Sequence, residues 1–152
     1  MDTPVWLDAE GLEKWQPLFD AALAARAKAY APYSSFMVGA AIMTGDGAIF
    51  TGANYESASY GLTLCAERAA LCAAQSAEAV PAITAIAICA KPEGSNFAPE
   101  ADVVRPCGAC RQWIFEASKR AGRDIQVLCG DADFSKVIVT SAEQLLPDGF
   151  SL

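Results

Sequence analysis

Residues 83–90 carry no charge and are apolar at almost every position, a pattern suited to a strand buried on both faces in the middle of a sheet. Such a strand needs a covering layer above and another below, so the flanking sequence must supply helices for both. It does. Leu12, Trp15, Leu18, Phe19, Ala22 and Leu23 recur at helical spacing with Lys14, Asp20, Arg26 and Lys28 between them, which predicts an amphipathic helix over 12–29 that ends near Pro32. Two β-prone runs, 38–44 and 48–53, flank Gly45-Asp46-Gly47, where Asp-Gly is a hairpin signal. The Ala, Leu and Glu content of 63–78 favours a second helix. A third covers 108–121 and stops at Gly122, and 125–129 and 137–140 read as two more strands. Ser141 followed by Gln144 resembles a capping box for a last short helix ended by Pro147. The order α, β-β, α, β, α, β, β predicts an α/β fold, a three-layer α/β/α sandwich on a mixed five-stranded sheet. No repeat or low-complexity block interrupts it, and 152 residues make one domain, 1–152. The longest loop, 92–106, carries Gly94, Asn96, Pro99, Glu100 and Asp102, and a loop of this length in a compact domain is usually functional.

Composition removes several classes of function. With 53% apolar and 19% charged residues the chain is far from the disordered regime, and it has no apolar run long enough to span a membrane. A formal charge of −7 repels a phosphate backbone, which argues against a nucleic-acid partner. The start, MDTPVWLDAEGLEKW, is acidic where a secretory signal is basic, so a cytoplasmic location is expected. In a reducing compartment the six cysteines are thiols or metal ligands rather than disulfides. The absence of histidine excludes Ser-His-Asp and Cys-His catalysis and every His-based zinc site.

Cys107-Gly108-Ala109-Cys110, at a predicted helix start, is by spacing a redox dithiol, half of a zinc site, or chance. A second such pair, as a four-cysteine structural site requires, is absent. Cys65 stands apart from the other lone cysteines because it too precedes a predicted helix, in Cys65-Ala66-Glu67-Arg68. If Cys65, Cys107 and Cys110 hold Zn²⁺, the fourth tetrahedral corner is left for water, as in catalytic rather than structural sites. Three thiolates weaken zinc as a Lewis acid, and two helix N-termini together with Arg68 can offset them. Glu67, beside such a site, can move a proton between water and a leaving group. That combination suits metal-assisted hydrolytic deamination.

Cys65-Ala66-Glu67 with Pro106-Cys107-Gly108-Ala109-Cys110-Arg111-Gln112 resembles the zinc signature of the cytidine deaminase family, in the homotetrameric form with three Cys ligands. The resemblance continues through Tyr30-Ala31-Pro32-Tyr33-Ser34-Ser35-Phe36, Val38-Gly39-Ala40-Ala41, Asn54-Tyr55-Glu56, Ala58-Ser59-Tyr60-Gly61 and Leu145-Leu146-Pro147, most of the chain in the right order. It implies one zinc per subunit on Cys65, Cys107 and Cys110, with Glu67 carrying the proton from water to N3 and then to the departing amine. It also implies Asn54 and Glu56 on the ribose 3′-hydroxyl, Phe36 on the pyrimidine and the Ala66 N–H on the base carbonyl. Tyr60 and Phe150 would reach a neighbouring subunit's site. The implied substrate is free cytidine or deoxycytidine, and the implied assembly is a homotetramer.

The chain departs from the family pattern at Tyr55, Ser57 and Arg105 and in the long 92–106 loop; Ser57, Arg105 and the loop motivate an alternative substrate, a modified or antibiotic cytosine nucleoside of the kind blasticidin S deaminase takes. A non-catalytic zinc-binding scaffold is a third reading. Cys72, Cys89 and Cys129 fall in apolar runs and are expected in the core, and Arg111 is expected to be a helix-surface or interface charge.

Overall fold

The structure is a computed structural model that describes residues 4–92 and 103–152. Its elements in chain order are β1 (Val5–Trp6), α1 (Ala9–Lys14), α2 (Gln16–Arg26), β2 (Phe36–Thr44), β3 (Ile49–Ala53), α3 (Ala66–Ser76), β4 (Ile83–Pro92), α4 (Gly108–Ala121), β5 (Gln126–Gly130), β6 (Val137–Ser141) and α5 (Ala142–Leu145). The strands form one sheet in the order β1-β6-β5-β4-β2-β3. Only β4 and β5 run parallel; the other pairs are antiparallel, so the sheet is mixed as expected.

β4 is the buried central strand, and its side chains divide between two cores. Ile86 and Ile88 face Ala66, Ala70, Leu71 and Ala74 of α3 and Ile114 and Ala117 of α4. Ala85, Ala87 and Cys89 face Leu18, Phe19 and Ala22 of α2. The period of two along the strand thus produces the three layers. No helix among the described residues is long and apolar enough to cross a membrane.

Among the described residues the sheet has six strands rather than the five predicted. The additional strand, β1, pairs with the β6 edge through Val5↔Val139 and Trp6↔Ile138. Both of its residues are exposed, so it has no buried-exposed alternation by which a sequence pattern could mark it. The helix predicted over 12–29 is two helices that meet at Trp15 (φ −95°, ψ 4°). Pro17 explains the break: it has no N–H to give to the Glu13 carbonyl and its ring crowds that carbonyl, so it is accommodated in the first turn of a new helix instead of inside a continuous one. Cys89 and Cys129 are buried, but Cys72 is exposed. α3 buries Ala66, Glu67, Ala70, Leu71 and Ala74, and position 72 lies off that face. The part of the predicted 92–106 loop from 93 to 102, with Gly94, Asn96, Pro99, Glu100 and Asp102, lies outside the described residues.

Two glycines shape the helices that carry the cysteines. Gly122 caps α4 in left-handed conformation (φ 64°), ending the helix where the sequence predicts. Gly52 of β3 lies against the first turns of α3, where a Cβ would come within 2.4 Å of both the Ala66 carbonyl oxygen and the Ala70 nitrogen.

Candidate active site

Cys65 and Cys107 hold equivalent places on two helices. Each is the residue immediately before the first helical turn, in extended backbone (φ −73°, ψ 153° and φ −67°, ψ 168°), and neither helix has a side-chain cap. The unpaired N–H groups of both helix starts therefore bring positive potential to the same region. Cys110 is buried in the first turn of α4. The three sulfurs lie within 4.8 Å of one another, and the Cys65 and Cys107 sulfurs are 3.9 Å apart. Tetrahedral zinc with Zn–S bonds of about 2.3 Å sets its sulfurs about 3.8 Å apart, so the spacing suits the ion, as does a soft thiolate donor set.

The surrounding charges are arranged around Cys65. The Arg68 guanidinium reaches its sulfur at 3.6 Å and donates to the Thr63 carbonyl at 3.2 Å. The neighbouring Cys110 thiol, as hydrogen-bond donor, and Arg68 together outweigh burial and bring the Cys65 thiol down to about 5. Cys110 is pushed up for the complementary reason, since its thiol proton is held by Cys65, with burial and the Glu67 charge adding to the effect. Glu67 follows Ala66 in the first turn of α3 and is 4% exposed. Burial raises its pKa, and the negative Cys65 sulfur adds to the rise.

Phe36 opens β2, and Asn54 and Glu56 follow β3, so the strand pair brings this second group together. β2–β3 pairing ends at Gly39↔Ala53. Beyond it the Asn54 side chain continues the ladder, its Oδ1 accepting from the Val38 N–H at 2.9 Å and its Nδ2 donating to the Phe36 carbonyl at 2.8 Å. Glu56 Oε2 accepts the N–H groups of Tyr33 (2.9 Å) and Ser34 (3.2 Å), and Oε1 accepts the Ser34 hydroxyl. Burial raises the Glu56 pKa, but these donors outweigh it and hold the carboxyl below the ordinary value. Tyr60 and Phe150 are 76% and 69% exposed.

Several partners are not visible in the sequence. Arg111 is half-buried and ties two segments together: its Nε donates to the Pro106 carbonyl at 2.8 Å and its Nη1 to the Leu145 carbonyl at 3.2 Å. Gln112 Nε2 donates to the Phe150 carbonyl at 2.9 Å, fixing the C-terminal segment on α4. The Trp113 ring lies 6.0 Å from the Arg68 guanidinium carbon. A cavity of about 460 Å³ opens between α3 and α4, lined by residues that include Leu71, Cys72, Trp113 and Arg120; Cys65, Cys107, Cys110 and Glu67 are not among them.

Three cysteine sulfurs able to hold a metal ion, gathered at two helix starts on a mixed sheet between helical layers, define the class as an α/β/α protein with a candidate zinc site. The chain belongs to the cytidine and deoxycytidylate deaminase family, whose zinc-binding region matches residues 12–122. It is 42% identical to a cytidine deaminase of Halalkalibacterium halodurans over 90% of this chain and 93% of that one. It is 40% identical to a probable cytidine deaminase of Dictyostelium discoideum over 95% of this chain and 87% of that one. The crystal structure of cytidine deaminase from Burkholderia pseudomallei superposes with a TM-score of 0.75 at 46% identity, covering 89% of this chain and 98% of that one.

Proposed function

We propose that the protein hydrolyses free cytidine and deoxycytidine to uridine and deoxyuridine with release of ammonia. The observation that carries this reading is the meeting of three sulfurs from two helix starts beside the buried Glu67. Cys65, Cys107 and Cys110 would hold one zinc per subunit, which when bound supplies the Lewis acidity that makes water nucleophilic near neutral pH. Glu67 takes the proton of the attacking water and delivers it to N3, then takes the proton of the new C4 hydroxyl and hands it to the leaving amine as the C4–N bond breaks and the C4 carbonyl forms. The Ala66 N–H, with no partner inside its own helix, donates to the base carbonyl. Arg68 draws charge from Cys65.

The sugar is read by what Asn54 and Glu56 have left. A carboxylate has about four acceptor positions. Three are taken on Glu56, two at Oε2 and one at Oε1, so Oε1 keeps one for a hydroxyl proton. Asn54 Nδ2 gives one of its two protons to Phe36 and keeps the other to donate to a hydroxyl oxygen. A group that both donates and accepts, such as a ribose 3′-hydroxyl, matches this pair, with Phe36 against the pyrimidine. The relatives are named cytidine deaminases and do not favour the modified-nucleoside alternative.

The same reading makes residues 1–152 one domain, in a homotetramer. Exposed aromatic groups support assembly: Tyr30 packs with Tyr55 and Tyr33 with Tyr60, with ring centroids 5.4 and 6.0 Å apart, on surface left to solvent by this chain. Tyr60 and Phe150 are the residues offered to a neighbouring subunit. Reduced thiols suit the cytoplasm, and the −7 charge suits a small nucleoside rather than a nucleic-acid partner. The deciding experiment couples zinc quantification to ammonia release across cytosine nucleosides, nucleotides and the free base. Bound zinc with release from cytidine and deoxycytidine is expected; zinc-free protein, or none released from either nucleoside, overturns the reading.

A further inference from the structure

The segment from Tyr30 to Phe36 is fastened to 54–56 at both ends, by the Tyr30 backbone and by the Phe36 carbonyl on Asn54 Nδ2. Tyr30 N–H donates to the Asn54 carbonyl at 3.0 Å and Glu56 N–H donates to the Tyr30 carbonyl at 2.9 Å. At the other end the segment tightens into a turn, with Ser35 N–H on the Ala31 carbonyl at 3.0 Å and Ser35 itself left-handed at φ 55°. A non-glycine residue in that region is held there by its surroundings. The side chain at the centre is Ser34. Its hydroxyl donates to Glu56 Oε1 while accepting the Phe36 N–H at 3.0 Å. One oxygen therefore links the carboxylate to the strand start that carries Phe36.

The two Glu56 oxygens are held by different means. Oε2 is fixed by two backbone N–H groups, which no side-chain substitution at position 34 removes. Oε1, the oxygen with an acceptor position to spare, is oriented by the Ser34 hydroxyl. We infer that Ser34 is a positioning residue that aims Glu56 Oε1 at the substrate's 3′-hydroxyl, and so sets the preference for nucleosides that carry that group. The inference rests on the ribose role proposed for Glu56.

A merely structural Ser34 would affect every substrate alike, so the test compares cytidine with 3′-deoxycytidine, which differ only at that hydroxyl. The wild-type protein is expected to prefer cytidine, because a polar site left unpaired by the analogue penalises it. Ser34→Ala should lower kcat/KM for cytidine about ten-fold, mostly through KM, the size expected for one charge-assisted hydrogen bond. Turnover of 3′-deoxycytidine should fall clearly less than that of cytidine, its loss limited to that of the Phe36 N–H contact, and Ser34→Thr, which keeps the hydroxyl, should restore the preference. Circular dichroism and thermal melting of each variant check the fold, and Ser34→Cys, of similar volume with a weak donor, should give an intermediate preference. An undiminished preference for cytidine in Ser34→Ala, or equal losses on both substrates, overturns the inference alone. Equal turnover of the two nucleosides by the wild-type protein overturns the ribose role of Glu56 and the inference with it.

Discussion

Gly52 of β3 and Ala66 at the start of α3 approach so closely that a Cβ on Gly52 would stand 2.4 Å from the Ala66 carbonyl oxygen. The sheet thereby sets the height of the turn that carries Glu67 and Arg68 and follows Cys65. Gly52→Ala must lift that turn from the sheet, and we expect it to cost roughly 1–3 kcal/mol of stability, as overpacking does. Because Cys65 moves with the helix, retention of zinc against a chelator should weaken in parallel. Denaturant unfolding and metal analysis measure both; wild-type stability and retention would mean that the contact has slack.

Glu67→Gln keeps the volume of the side chain and removes its ability to carry a proton. Deamination should fall by about 10²–10⁴-fold, the range of a lost general acid-base group, with zinc content and melting temperature held. Activity near wild type would show that another group moves the proton.

Metal removal should expose an unusual thiol. With its pKa near 5, Cys65 is ionised at neutral pH in the metal-free protein, whereas a thiol at 9.0 is mostly protonated there. Iodoacetamide at pH 7 should modify Cys65 ahead of Cys110, which is buried and shifted the other way. Peptide mass spectrometry across a pH series reads the midpoint, and a Cys65 midpoint at the ordinary thiol value contradicts the arrangement.

Glu56 supplies a second dependence on pH. Its pKa is lower in the folded chain than the usual 4.5, so its contribution to stability is complete above the unfolded value. It is lost as the pH falls through the depressed folded value. Glu56→Gln removes that proton linkage, and its melting temperature should change less steeply with acidification below about pH 5 than that of the wild type. Parallel acid limbs would place the linkage elsewhere.

The sequence carried the elements whose cause is local. Gly122 ends α4 because it alone is free to turn left-handed there, and Ser141 accepts the Gln144 N–H at 3.3 Å as the capping pattern predicts. The cysteine pattern was legible for the same reason, since each sulfur sits at or within one turn of a helix start. What escaped depends on partners far away in the chain. β1 exists because the β6 edge accepts it, and no periodicity marks two exposed residues. The outward direction of Cys72 follows from which side of α3 meets the sheet. The grip of Ser34 on Glu56, across 22 positions, needs the β2–β3 hairpin to bring them together. Asn54 and Glu56 read in sequence as a polar pair after a strand, with no sign of how many of their hydrogen bonds the fold itself uses.

Cys65 and Cys107 are 42 positions apart, and an ion gripping both sulfurs pins the chain into a loop of that length. For a covalent link closing about 42 residues, the chain-entropy relation gives a benefit of about 4 kcal/mol. A coordinated ion is a tether of the same topology that a competing chelator can untie. With such an ion bound, persistence of the folded molecule would depend on the supply of metal, and the link proposed for the chemistry would also guard the chain against unravelling.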